Sequence, residues 1–278
     1  VVDKLEEKQK FYDDVITFDD RNFTTESQTI RFKTTQRNFI MRKLIGIKDE
    51  PFMSSAKDYL QRLEFQLSQI DYGNNHVENL RTTWNDVTTE LLKDPDFGDQ
   101  LKKDIDGIGS LLKDAALLAD NDARIKFIFN SIRSGMRCDD HEALFTHEGV
   151  NNVWQKKTGN IADINLLLVN ILNKAGIKAF PILVSSRDNG MINSTYPSLR
   201  QFNKVMVYVP LDKNDSYILD ASDKFSYYKI PPASIVNTRA FIIESDRGTG
   251  KVFDIIDEKH NYQVMAALKA VIDDKGTM

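Results

Sequence analysis

The chain has 278 residues, of which 41% are hydrophobic and 28% charged, a composition typical of a globular protein with a substantial core. Its 41 acidic and 37 basic residues give a formal net charge of -4 and are interspersed along the sequence. This distribution excludes a basic field that would attract nucleic acid or an anionic membrane. The single cysteine excludes an internal disulfide bond.

Residues 1–75 predict a β-rich region. Residues 27–35 and 38–47 are rich in β-branched and aromatic residues, and polar stretches separate them, which is the pattern of strands. This pattern continues through residue 70, and a turn-forming sequence follows at residues 71–76. We therefore expect an incomplete β-rich domain over residues 1–75.

The spacing of apolar residues becomes helical after this turn. One helical face carries Leu80, Trp84, Val87 and Leu91. Further helical patterns follow at residues 100–119 and 121–136, and Asn121 is a candidate N-cap of the second. We assign residues 76–120 to a helical connector.

The clearest helix begins at Asn160. A single apolar stripe along it contains Ile161, Ile164, Leu168, Ile171 and Ala175. Asn160 is a favourable N-cap, Asp163 can complete a capping box, and Gly176 can end the helix in a left-handed conformation. Asn165 and Asn170 interrupt the longest apolar run of the chain, which is too short to cross a bilayer, so we predict no transmembrane segment.

Consecutive strands follow this helix. Strand patterns occupy residues 177–186, 202–209, 216–222, 240–245 and 251–256. The last two flank a glycine-containing loop and predict a hairpin. We expect an α+β fold with antiparallel strands, in which residues 121–260 form one domain and residues 261–278 a tail that is polar from Asp273 onward.

The order of these elements resembles the transglutaminase-like, papain-related superfamily. A helical lead-in, a tryptophan and a Lys-x-Gly step precede a long apolar helix that ends in Ala-Gly-Ile, and strands with polar residues follow. The match covers residues 121–232. Within it, residues 157–190 and 202–222 look like a bacterial branch in which a β-rich domain precedes the transglutaminase-like core. The resemblance implies a helix whose N-terminus packs on an antiparallel sheet.

Enzymes of this superfamily use a cysteine at the start of the long helix, followed in the chain by a histidine and an aspartate. Matching by motif puts Asn160, Lys204 and Asp220 at these three positions. An amide is not a usable nucleophile, and a lysine with the ordinary pKa of about 10.4 is not a base at neutral pH. The resemblance therefore implies a catalytically degenerate member. We interpret Asn160 as a helix cap, and we expect Lys204 and Asp220 to form a salt bridge.

Cys138 leaves an enzymatic alternative open. It is the only thiol, and His141 and His147 lie close to it in the sequence, so the second hypothesis is an active cysteine hydrolase or acyltransferase that uses Cys138. The same stretch offers carboxylates and imidazoles as metal ligands, but it lacks the paired spacing of zinc sites. We interpret it as a polar surface loop and predict neither a metal nor a cofactor.

Four further residues are candidates for lining a cleft beside Asn160: Trp154, Arg187, Asp188 and Asn189. The alternative for Trp154 is packing in the core, and for the other three it is a turn that Gly190 completes. By analogy with the bacterial branch, we expect a non-catalytic binding or scaffolding module of the periplasm or cell envelope, with a peptide, protein or glycan as its ligand.

Overall fold

The structure is a computed structural model that describes residues 4–19, 25–44, 46–48, 50, 53–62, 65, 67–71, 77–79, 82–212, 215–258 and 260. The chain divides into two compact units, Val1–Glu50 and Pro51–Met278. The boundaries predicted from the sequence, at residues 75, 120 and 260, stay a prediction. The tail predicted over residues 261–278 lies outside the described residues.

The first unit contains one long antiparallel hairpin. Its strands are β1 (Lys4–Asp19) and β2 (Thr25–Ile40), with Lys4 opposite Ile40 and Asp19 opposite Thr25. The strand predicted at residues 27–35 is confirmed, because it lies within β2. The strand predicted at residues 38–47 ends at Ile40, so the prediction is wrong for the described residues that follow it.

The second unit begins with little regular structure. A single turn of 3-10 helix occupies Ala56–Asp58, and β3 (Gln69–Asp71) pairs antiparallel with β4 (Val77–Asn79). The described residues between Asp58 and β3 are not in strands, so the predicted continuation of strand through residue 70 is wrong for them. Their large side chains are exposed and have no buried face to match the alternating pattern: Tyr59, Leu60, Phe65 and Leu67.

The helices follow. They are α1 (Trp84–Lys93), α2 (Gly109–Ala116), α3 (Asn121–Gly135), α4 (Val150–Lys156) and α5 (Ile161–Lys174). The two-residue strands β5 (Arg137–Cys138) and β6 (Thr158–Gly159) lie on either side of α4 and pair in parallel. The helix predicted at residues 100–119 is only partly α-helical, and Asp120 rather than Asn121 caps α3.

The prediction of α5 and of its caps is confirmed. Asp163 N donates to Asn160 Oδ1 at 2.7 Å, and Asn160 N donates to Asp163 Oδ2 at 3.0 Å, which completes the capping box. Gly176 follows the helix with a φ of +77°. The single apolar stripe was too narrow a prediction, because every residue from Ile161 to Leu172 is buried. The helix packs on β7 and β8 and also against α3 and α4.

A five-stranded antiparallel sheet covers one side of α5. Its strands are β7 (Phe180–Val184), β8 (Lys204–Asp212), β9 (Asp215–Leu219), β10 (Thr238–Glu244) and β11 (Thr249–Ile255). They lie in the order β11-β10-β7-β8-β9, and the predicted hairpin is formed by β10 and β11. The α+β fold with antiparallel strands is therefore confirmed.

The predicted helical connector contributes to the same core as α5 and the sheet. Val87 and Leu91 of α1 and Leu111 and Ala115 of α2 are buried in it. Because these helices share one core with α5, they help to hold its position. Across the described ranges, no helix is both long enough and apolar enough to cross a membrane.

Candidate functional site

Strand β5 brings the only cysteine to the start of α5. Cys138 pairs with Gly159, the residue that precedes the Asn160 cap. Its side chain is half-buried, and its Sγ accepts a hydrogen bond from Asp140 N at 3.4 Å. Burial raises the pKa of the thiol, and the nearby carboxylates of Asp140 and Asp220 raise it further. The predicted polar surface loop agrees with residues 139–142, which are exposed and in no helix or strand, but it is wrong for Cys138 itself, which lies half-buried in β5. The environment of the thiol disfavours the reactive thiolate.

The side chain of Asn160 is bound within the chain through both of its polar atoms. Its Oδ1 accepts the capping bond, and its Nδ2 donates to Phe145 O at 3.2 Å. The residue is only 3% exposed. Since both polar atoms of the side chain have partners within the chain, the predicted role of Asn160 as a cap is confirmed.

The segment before α4 wraps around the start of α5. Asp163 Oδ1 accepts three backbone hydrogen bonds, from the N–H groups of His147, Glu148 and Gly149 at 3.1–3.2 Å. Burial raises the pKa of Asp163, and the backbone donors partly oppose this shift. Ile161 N donates to His141 O at 3.3 Å. The N–H groups of Asn160, Ile161 and Asp163 at this helix end are thus bound to the protein itself and are not available to an oxyanion.

Lys204, the first residue of β8, is paired with an acidic residue from the loop before α4. Its Nζ lies 3.1 Å from Glu142 Oε1, and the neighbouring Asn203 donates from Nδ2 to Glu142 Oε2 at 2.9 Å. Ser186 holds the Asn203 side chain in place. Asn203 Oδ1 accepts a hydrogen bond from Ser186 N at 2.9 Å, and Asn203 Nδ2 donates to Ser186 Oγ at 2.7 Å. Both oxygens of the Glu142 carboxylate are therefore bound by the start of β8.

Asp220 follows β9 and is bound by a residue of α5. Its Oδ1 accepts from Asn165 Nδ2 at 2.9 Å and from Ser222 N at 3.0 Å. Asn165 also donates to Val205 O at 2.9 Å and accepts from Ala221 N at 2.9 Å. The predicted salt bridge between Lys204 and Asp220 is wrong, because Asn165 reaches between β8 and β9 and binds the aspartate.

The three positions that the motif matching selected lie around the same end of α5. Asn160 caps this end, and Asn165 links the helix to Asp220 and to Val205, the residue after Lys204. Among the hydrogen bonds of the described residues, none joins two of the three side chains. Whether these positions correspond to a former catalytic triad stays a prediction.

A histidine beside the thiol would be needed for nucleophilic catalysis by Cys138. His141 and His147 are both exposed, and His147 Nδ1 lies 3.9 Å from a Glu148 oxygen. The hydrogen-bond partner of the sulfur is a backbone N–H rather than an imidazole. In the part of the chain that the structure describes, no cluster of three or more His, Cys, Asp or Glu side chains is arranged to hold a metal ion.

Trp154 contacts the core in α4. It is partly buried against the main core, and Lys157 Nζ lies 3.3 Å from the centre of its ring. This arrangement agrees with core packing, the alternative that the sequence left open for this residue.

Arg187, Asp188 and Asn189 form the turn that was the alternative to a cleft wall. Asn189 N donates to Ser186 O at 2.9 Å, and Gly190 has a φ of +106°. The Ser186 hydroxyl and the positive charge of Lys204 lower the pKa of Asp188. Asp188 is therefore the turn residue whose charge interacts with the candidate site.

Sequence reasoning assigned neither Asn165 nor Glu142 to this site. It noted Asn165 only as an interruption of the apolar run, and it weighed the carboxylates of the Glu142 loop only as metal ligands. The signal for Asn165 was present, since a buried amide within an apolar helix requires hydrogen-bond partners. Glu142 gave no specific signal, because it is one of several acidic residues in its loop and its partner Asn203 lies 61 positions away in the chain.

No family model and no curated protein matches the sequence. Among solved structures, a "putative protease" from Parabacteroides distasonis aligns with 12% identity and a TM-score of 0.46, over 90% of this chain and 42% of that protein. A "TGase" aligns with 11% identity and a TM-score of 0.31, over 56% of this chain and 37% of that one. A "putative cysteine protease" from Cytophaga hutchinsonii has 10% identity and a TM-score of 0.32, over 91% and 77%.

The chain spans less than half the length of the first two of these proteins. At such identities and TM-scores the likenesses assign no activity to it. Its function has to be argued from the residues at the start of α5.

Proposed function

We propose that this chain is a non-catalytic member of the transglutaminase-like superfamily and acts as a binding or scaffolding module. One observation carries the proposal: Asn160, at the position that the resemblance gives to the catalytic cysteine, has both side-chain polar atoms in hydrogen bonds. Its Oδ1 accepts from Asp163 N and caps α5, and its Nδ2 donates to Phe145 O. A residue held in this way can neither attack a carbonyl carbon nor transfer a proton.

The neighbouring side chains support the same conclusion. Acyl transfer by a cysteine requires a thiolate, a base that an acidic residue orients, and donors for the oxyanion. Here Lys204 is bound to Glu142 and Asp220 to Asn165, so neither side chain orients a base. Burial and nearby carboxylates raise the pKa of the Cys138 thiol, which lowers its thiolate fraction at neutral pH.

The test is an activity assay of the chain in parallel with Cys138→Ala. We would measure amine incorporation into a glutamine-containing protein and hydrolysis of a mixed library of fluorogenic peptides. We expect no turnover above buffer for either protein. Turnover by the parent chain that disappears in Cys138→Ala would refute the proposal and establish the alternative, a cysteine hydrolase or acyltransferase.

A binding module must also have a ligand. By analogy with the bacterial branch, we propose a peptide, protein or glycan of the periplasm or cell envelope. We would immobilise the chain and screen peptidoglycan fragments and envelope peptides, with Lys204→Met as the matched variant. Saturable binding that this substitution weakens would support a ligand site at the start of α5. Equal binding by both proteins would show that the ligand binds at another surface.

A further inference from the structure

Residues 139–142, which we call the strap, cross the start of α5 directly above the only thiol of the chain. Asp139 N donates to Gly159 O at 3.1 Å, and Asp140 N donates to Cys138 Sγ at 3.4 Å. Further along, His141 O accepts from Ile161 N at 3.3 Å. The strap backbone thus contacts both the half-buried sulfur and the first N–H group of the helix.

One side chain of the strap reaches the sheet in the part of the chain that the structure describes. This is Glu142, whose two carboxylate oxygens are bound by Lys204 Nζ and Asn203 Nδ2. By contrast, the Asp139 carboxylate accepts from His141 N within the strap itself, at 3.0 Å. The connection between strap and sheet is therefore concentrated in a single carboxylate.

The ion pair between Glu142 and Lys204 is weak enough to break and form again. The side chains of Glu142 and Lys204 are 45% and 20% exposed, and partly exposed ion pairs contribute little to stability. Within the strap, Asp140 has a φ of 60°, in the left-handed region that residues other than glycine adopt at a cost. The closed position is held by this ion pair together with the two backbone hydrogen bonds to Gly159 and Ile161, against a modest backbone strain at Asp140.

We propose that the strap is a lid over the start of α5 and that the contact of Glu142 with Lys204 and Asn203 is its latch. When the latch releases, the strap moves away and solvent reaches Cys138 and the N–H of Ile161. This device goes beyond the proposed function, since it would control access to this end of the helix whatever the ligand is.

Cys138 makes the lid measurable, because it is the only thiol and the strap contacts it. We would measure the rate of its alkylation by the uncharged reagent iodoacetamide in Glu142→Gln and in Lys204→Met. Loss of a partly exposed ion pair should accelerate the reaction about 1.5- to fivefold in each variant. The matched control is Glu148→Gln, which removes the ion pair with Lys156 at 2.5 Å outside the strap and should leave the rate unchanged.

The two latch variants separate opening from a simple charge effect. If only electrostatics mattered, Glu142→Gln would favour the thiolate and react faster, whereas Lys204→Met would disfavour it and react more slowly. Acceleration in both variants supports the lid. Acceleration in the first and slowing in the second, or no change in either, would overturn it.

A measurement on the unsubstituted chain covers the case in which a variant does not fold. Salt screens partly exposed ion pairs, so added sodium chloride should weaken the latch in the parent chain. It should therefore accelerate hydrogen exchange of the amides of residues 139–142, but not of those in α5. Exchange rates that do not depend on salt would contradict the latch.

Discussion

Asn165→Ala should be among the most destabilising single substitutions in this chain. The Asn165 side chain is completely buried in α5 and makes three hydrogen bonds, with Val205 O, Asp220 Oδ1 and Ala221 N. Alanine is the better helix former, so helix propensity opposes the expected result and cannot produce it. Loss of stability would therefore measure the tertiary hydrogen bonds.

The size of the expected loss of stability follows from the three hydrogen bonds that the substitution removes. A hydrogen bond between uncharged groups contributes about 0.5–1.5 kcal/mol, and one to a charged group about 1.5–3 kcal/mol. Two bonds of the first kind and one of the second give about 2.5–6 kcal/mol. In a domain of this size we expect the melting temperature to fall by roughly 5–24 °C.

The assay is equilibrium unfolding in urea, with Asn170→Ala as the matched control. Asn170 is equally buried in the same helix. Among the described residues, its Nδ2 donates to Gln100 O and Lys103 O, and its Oδ1 has no hydrogen-bond partner. We expect the control to cost about 1–3 kcal/mol. A cost for Asn165→Ala below about 1 kcal/mol, or below that of the control, would show that Asn165 does not hold Asp220 as we argue.

Three further predictions follow from the surroundings of single residues. Thiol titration should give Cys138 a pKa above the usual value of about 8.5, and a value below it would contradict the burial argument. Tyr217 has a pKa raised to about 12, first by burial and then by its bond to a carboxylate of α3, so its phenolate absorbance should develop near pH 12. Because the folded chain holds this proton more tightly, the associated stability is intact below pH 10 and is lost as the pH rises toward 12. Gly250→Ala should cost about 1–3 kcal/mol in urea unfolding, because a Cβ would lie 2.3 Å from the buried Phe241 ring, whereas Gly109→Ala meets no atom within 4 Å and should be tolerated.

The sequence predicted those features that depend on local pattern. The α5 helix, its Asn160 cap and the β10–β11 hairpin each follow from residues within a few positions of one another, and the structure has all three. Strand prediction failed before β3, where alternating apolar residues are exposed. An alternation of apolar and polar residues does not by itself show whether the apolar face of a strand will be buried.

The partners at the candidate site could not be predicted in this way. Lys204 binds Glu142 and Asp220 binds Asn165, although the sequence suggested that Lys204 and Asp220 bind each other. All four side chains are polar and within reach of the same end of α5. Which pairs form depends on the path of the strap and on the register of β8 with β9, and neither is encoded locally.

The burial of α5 on all sides has a consequence for how this end of the molecule moves. Amides in an element with buried neighbours on every face exchange with solvent only in the largest opening events, so α5 should be among the last parts of the chain to exchange. The exposed strap that lies against its first turn should be among the first. A molecule that approached this surface would meet a rigid helix, α5, beneath a strap that opens far more often than the helix unfolds.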